Sequence, residues 1–403
     1  NTDSLTGGIL YYDCQMHTPE RLTLAFIQSA HKNFADVYNY VKVDDLIIEN
    51  DKVVGATATD LLTNTNFRIN SKFTLNASGP WINKILGDSN KLGIVNKKQF
   101  SKGIHLVTES ITNNNAIALA TKHKQAKSLL SRGGRHFFIA PWKNKSLIGT
   151  TNVNFNGNPD NAMVTRKDIE EFLEEIKDSY KPASNITLKD IDYFYGGLYI
   201  DDSNIKINQG YQGHRNDQIF DHKLDTNLDG LISVIGVKYT TSPQLAEKVI
   251  DKISSRLGKG NNKFDFENHS LHGGDIPNYN HYVNEAISKY CNLVDAEIIK
   301  NLILLYGSKY EDALKLGLKN KLLLEKIDED LPYIKAQIIY SIKNEMAVKL
   351  TDIFLRRIGL GTLKKPGDKE ILSIVELMAK ELNWDNNKIE SEISELKSVY
   401  TIS

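Results

Sequence analysis

Lys238 sits where a chain could hold an electron-rich group. Ahead of it, Leu231–Ile235 has the length and β-branched content of a buried strand. Gly236 opens the bend, Thr240 and Thr241 follow the lysine, and Ser242-Pro243 reads as cap and first-turn proline of a helix running to about Leu257. A strand, a small residue at the bend, a lysine on the buried side and the positive end of a helix together favour negative charge at that point. Position alone nevertheless leaves a solvent-facing strand-end lysine as the commoner reading.

The chain that must position this stretch has 403 residues, enough for two or three domains with a sizeable core. Fifty basic and fifty acidic residues cancel, so no global field argues for nucleic acid or an anionic membrane. Cys14 and Cys291 stand far apart with no disulfide or metal-ligand pattern, which fits a reducing, cytoplasmic compartment and no metal. Apolar runs are far short of a membrane span, and the first residues have no signal-peptide pattern.

Thr18-Pro19-Glu20 starts a helix, with Thr18 as cap, that fades near Lys32. Short strands follow at 37–43, 45–49, 53–60, 66–69 and 72–75, turned by Asn50-Asp51 and Asn64-Thr65. Residues 100–200 read as a second sheet, with strands at 104–108, 116–120, 136–142, 146–150 and 191–198. One helix interrupts it, capped by Thr165 with Asp168 and burying Ile169, Phe172, Leu173 and Ile176. Residues 204–227 read as a long polar loop, and residues 280–403 are helical in pattern.

Several pieces, in order, carry a family likeness: LYYDCQMHTPERL (10–22), NASGPW (76–81), SKGIHLV (101–107), FFIAPWKNKSLIGTTN (137–152), YGGL (195–198), GLISVIGVKYTT (230–241) and YSIKNEMAVKLTDIFLRRIGLG (340–361). The chain resembles the flavin-dependent glycerol-3-phosphate dehydrogenase/oxidase family, within the D-amino-acid-oxidase-like flavoproteins. The resemblance implies an α/β plus α fold. A partial FAD-binding Rossmann-type domain, with part of the substrate domain, falls at 1–100 and 201–260. An antiparallel-sheet substrate domain covers 101–200, and a C-terminal all-α domain covers 275–403. No GxGxxG turn occurs in the sequence, although the family binds its dinucleotide with one. A piece of a longer chain is the leading explanation, and a complementing chain is the other.

The resemblance also assigns roles. It makes FAD the cofactor and a small molecule, by default sn-glycerol 3-phosphate, the substrate. Lys238 lies by the flavin ring and offsets its charge on reduction. His105 takes the hydroxyl proton, and Arg215 grips the phosphate. Thr151, with Thr150, ends a strand at the substrate cavity. Val43 meets the adenine through its backbone; Ala77, Ser78, Gly79, Gly236, Thr240 and Thr241 lie along the cofactor; Trp81 packs the following helix. Electrons pass to quinone or another acceptor, with peripheral attachment to the cytoplasmic face of an inner membrane and homodimerisation as further family traits. Ordinary packed or solvated roles stay open for each of these residues.

The departures reduce positive charge. Tyr199 stands where the family has an arginine, offering one hydroxyl in place of a five-donor fork. Val237, Pro243 and Asn152 also depart from the pattern. Three readings stay open: a phosphate held by Lys238 and Arg215 alone, a different small substrate, or an inactive relic.

Overall fold

Proline lacks an N–H, and the first position of a helix is where that loss costs least. In the computed structural model, which describes residues 7–86, 99–121, 136–201, 217–236, 238–260 and 268–402, Pro19 opens α1 (Pro19–Lys32). Thr18 holds the cap position, but its hydroxyl makes no capping bond, contrary to the sequence reading. Strands β1 (Val41–Glu49), β2 (Lys52–Asp60) and β3 (Thr65–Asn70) form an antiparallel meander. Asn50, Asp51 and Asn64 take the left-handed backbone its tight turns need. The two short strands expected at 37–49 are one strand, because a register shift between Val43 and Asp45 breaks the alternation without ending the pairing. Strand β4 (Thr74–Asn76) leads through a 3₁₀ turn, Gly79–Trp81, into α2 (Ile82–Leu86).

The second sheet contains β5 (Gln99–Glu109), β6 (Ile117–Ala120), β7 (His136–Trp142), β8 (Lys145–Gly149), β9 (Val153–Phe155) and β10 (Ile191–Asp201). Its order is β10-β5-β8-β7-β6, with β9 also pairing to β5. Alternation decides which face each side chain takes. Ile104 and Leu106 of β5 join Phe137, Ile139 and Ile148 beneath α3 (Arg166–Ser179), whose Ile169, Phe172, Leu173 and Ile176 complete that core. Val107, on the opposite face, packs into the C-terminal helical core.

Residues 217–227, read as loop from sequence, contain β11 (Gln218–Asp221) and α4 (His222–Thr226). The rest of that segment lies outside the described residues. The signal was hidden because β11 is only four half-buried residues long, too short for a period to register. Strand β12 (Leu231–Ile235) is wholly buried, pairing antiparallel with β11 and parallel with β4. Helix α5 (Ser242–Arg256) packs Leu245 and Val249 on Ile232 and Val234. Beyond it, α6 (Tyr279–Tyr290), α7 (Ala296–Tyr306), α8 (Tyr310–Lys319), α9 (Ala336–Asn344), a π-helical turn at Asp352–Arg357, α10 (Asp368–Leu382) and α11 (Asn386–Val399) enclose the largest core.

Two buried ion pairs fasten these parts. Arg21 of α1 reaches Glu345 at 2.7 Å, donates Nε to the Leu305 carbonyl and lies over the Tyr306 ring. Lys102 of β5 meets Asp168 at 2.6 Å, and the same carboxylate closes the α3 capping box with Thr165. Burial would raise the Asp168 carboxyl, but hydrogen bonds from Lys102 and Thr165 hold it below its ordinary 3.8. Asp168→Asn leaves a buried ammonium unpaired, so we expect a loss of about 3 kcal/mol in urea unfolding. Because the folded-state pKa is depressed, the wild-type contribution is complete above 3.8 and disappears as pH falls through the lower value. The Asn variant should lack that part of the acid dependence.

Candidate active site

On β5, His105 points away from α3. Register places Tyr195 of β10 opposite it on one side and Gly149 of β8 on the other, with Phe138 of β7 beyond Gly149. Tyr195 and Phe138 are 40% and 46% exposed, so this row is an open strip of the sheet. The imidazole stacks on Tyr195 with centroids 5.1 Å apart and planes 8° from parallel. A Cβ built at residue 149 would fall 2.0 Å from His105 Cδ2 and 2.5 Å from Nε2, so only glycine leaves the ring its place. Burial lowers the His105 pKa to about 4, leaving the imidazole neutral at neutral pH. Burial, with Glu20 and Tyr193 adding to it, pushes the Tyr195 phenol upward. No hydrogen-bond partner for His105 appears among the described residues. A neutral, unengaged imidazole on an open strip can accept a proton from a bound hydroxyl.

A second group gathers at the paired ends of β4 and β12. These strands are parallel, so the turns after them leave from the same edge, the usual place for a ligand in an α/β sheet. Ala77, Ser78 and Gly79 follow β4; Gly236, Lys238, Thr240 and Thr241 follow β12. Asn76 is buried and organises the first turn, accepting from the Ser78 amide and hydroxyl and donating to the Ile82 carbonyl. Gly79 has φ of +56° with no atom within 4 Å of where a Cβ would be, so backbone and open space meet there.

Three expectations change at this edge. Lys238 is exposed rather than on a buried side, because a 3₁₀ turn, Tyr239–Thr241, separates it from α5. Ser242 is the first helical residue rather than the cap, and its hydroxyl donates to the Tyr239 carbonyl. Trp81 is 40% exposed and donates its indole N–H to Asp160 at 2.7 Å, instead of packing into α2.

The elements that carry the two groups touch. Strand β10 contacts the Gly79–Trp81 turn, and Phe100 and Leu198 of the six-stranded sheet share a core with Leu231 and Ile235 of β12. Lys84 joins Trp81 on Asp160, adding a polar tie. Tyr199, four residues beyond Tyr195 on β10, shares its face by alternation and is 40% exposed. Thr151 is buried, with its hydroxyl accepting the Ile104 amide at 3.0 Å, so it anchors β5 rather than lining the open strip. Val43 is half-buried in the meander, a different sheet. Arg215 and Val237 lie outside the described residues.

Sequence reasoning missed Tyr195, Gly149 and Asn76. Each acts through a partner far away in sequence or through a turn, so spacing along the chain carried no signal for them. Among the described residues, no group of His, Cys, Asp and Glu is arranged to hold a metal. Cys14 and Cys291 are exposed and free.

Comparison with known proteins adds independent findings. A sequence profile described as FAD dependent oxidoreductase matches residues 1–231, and one described as the C-terminal domain of alpha-glycerophosphate oxidase matches residues 266–389. A glycerol-3-phosphate dehydrogenase from Synechocystis sp. is 29% identical over 402 residues, covering 96% of this chain and 70% of its own length. The mitochondrial glycerol-3-phosphate dehydrogenase of Macaca fascicularis is 27% identical, with 98% of this chain and 53% of its own length covered. The X-ray structure of the glycerol-3-phosphate dehydrogenase from Bacillus halodurans complexed with FAD superposes with a TM-score of 0.76 at 26% identity, over 94% of this chain and 72% of that one. The chain thus spans from about half to about seven-tenths of these relatives.

The His105 row makes a direct prediction. Gly149→Ala should displace the imidazole, costing roughly 1–3 kcal/mol in chemical unfolding and shifting the His105 ring protons in NMR spectra as the Tyr195 stack opens. In the wild type those protons should stay in the neutral position until pH approaches about 4. Titration near the ordinary 6.5 would contradict the assignment.

Proposed function

The chain belongs to the FAD-dependent oxidoreductase family, and we propose that it oxidises the secondary hydroxyl of sn-glycerol 3-phosphate, giving dihydroxyacetone phosphate. The observation that carries this reading is the neutral His105 imidazole on an open strip beside the β4–β12 edge. Relatives named glycerol-3-phosphate dehydrogenase over nearly the whole chain support the substrate.

The residues at that edge fit one end of FAD. Gly79 leaves room for close backbone approach, the exposed Lys238 supplies a cation, and α5 begins with no side-chain capping bond on its first-turn amides. Ala77, Ser78, Gly79, Gly236, Thr240 and Thr241 would hold the cofactor there. When bound, FAD supplies an acceptor for the carbon-bound hydrogen as hydride.

In this reading His105 accepts the hydroxyl proton as the C–H bond breaks, so the carbinol becomes a carbonyl with its atoms balanced. Tyr195 fixes the imidazole plane through the stack. Lys238 and the α5 N-terminus would stabilise negative charge on a flavin held at that edge. Arg215 and Lys238 would hold the substrate phosphate. The reduced protein would pass its electrons to quinone or another acceptor. No helix among the described residues is long and apolar enough to cross a membrane.

Tyr199 favours a second reading, oxidation of a different small alcohol or acid, because a phenol binds phosphate less well than a guanidinium.

With a dye as electron acceptor, His105→Asn should lower kcat for glycerol 3-phosphate by roughly 10²–10⁴-fold while FAD stays bound. Activity close to wild type would remove His105 from the mechanism. Tyr199→Arg should raise kcat/KM for glycerol 3-phosphate if the missing guanidinium limits turnover, and no gain would favour the second reading.

A further inference from the structure

The hairpin between β7 and β8 turns through Lys143 and Asn144, both with left-handed backbone. A lysine at such a tip normally extends into water. Here the Lys143 side chain folds back, with its ammonium 4.6 Å from the centre of the Trp142 ring and 3.5 Å from where a Cβ on Gly359 would lie. It borders a cavity of about 240 Å³ between the start of α1, the open end of the six-stranded sheet and the Asp352–Arg357 turn.

The cavity wall has more positive charge than its acids neutralise. Arg356 is matched by Asp352 at 3.0 Å, and Arg21 by Glu345. Arg357 donates Nε to the Glu345 carbonyl and has no carboxylate in ion-pair range among the described residues. Lys143 has no ion-pair partner among them either. Glu20, also on the wall, is the acid whose field reaches Lys143, and it balances one of these two charges. Burial lowers the Lys143 ammonium to about 8, so desolvation is not offset by a bonded partner.

We propose that this cavity is a binding site for a small organic anion, with its carboxylate or phosphate between Lys143 and Arg357 and its carbon skeleton against Trp142 and Tyr193. The size argues for a small metabolite, since drug-sized ligands occupy roughly 300–1,000 Å³. The cavity adjoins the substrate position proposed above, on the side of Tyr195 away from Tyr199. Tyr195 forms part of its wall, whereas Tyr199 lies four residues further along β10. The Tyr195 ring that bounds the cavity is the one stacked on His105, so an occupant touches the group that holds the imidazole plane.

Calorimetric titration of the 403-residue chain with inorganic phosphate, and separately with succinate, tests this. Wild type should bind at least one, and the stronger probe identifies the head group. Lys143→Met should weaken that binding by roughly tenfold or more, with melting temperature unchanged or higher because an unpaired desolvated charge is gone. Lys143→Arg should restore most of it. Lys143→Gln serves as a second test should the Met variant fold poorly. Binding of neither probe, or undiminished binding in the Met and Gln variants, would overturn the proposal.

Discussion

Residue 149 has no side chain, and the geometry of the open strip depends on that vacancy. The imidazole of His105 lies across the neighbouring strand in the space a Cβ would fill, and from there it stacks nearly parallel on Tyr195. Any larger residue on β8 would push the ring toward Tyr195 or out into solvent. Close packing makes this a steric constraint rather than a preference. It also produces the desolvation that keeps the imidazole neutral.

The rest of the fold keeps that row in place and open. Alternation along β5 puts Ile104 and Leu106 under α3, so the opposite face is free to carry His105. Further along the same face, Val107, Tyr193 and Trp142 disappear into the C-terminal helical core, which therefore borders the strip without covering it. Lys102 with Asp168 fastens β5 to α3, and Arg21 with Glu345 fastens α1 to the helical core. Buried pairs of this kind add little net stability over apolar packing, but losing one partner is expensive, which suits them to fixing register and docking.

What the sequence made legible was local or periodic. The Thr165–Asp168 box, the apolar stripe of α3, the five buried residues of β12 and the asparagine turns of the meander each depend on neighbours a few positions away. The less legible features had other causes. The bulge after Val43 disguised one strand as two, and β11 was too short to show a period. The hydroxyl of Thr151 and the indole of Trp81 were claimed by partners on other elements, Ile104 and Asp160, which spacing along the chain does not reveal. Lys238 illustrates a third cause: its residue type and position were read directly, but the 3₁₀ turn that sets its exposure carries no strong composition signal. The pairing of His105 with Tyr195 is a cross-strand fact that no spacing along the chain reveals.

The proposed reaction removes hydride and a proton from a secondary alcohol, with FAD as acceptor and His105 as the proposed base. Its most direct test is anaerobic mixing of the FAD-loaded protein with sn-glycerol 3-phosphate while the visible flavin absorbance is followed. Bleaching should follow a single saturable phase and slow sharply in His105→Asn. A spectrum that stays unchanged with glycerol 3-phosphate and with other small secondary alcohols would contradict it.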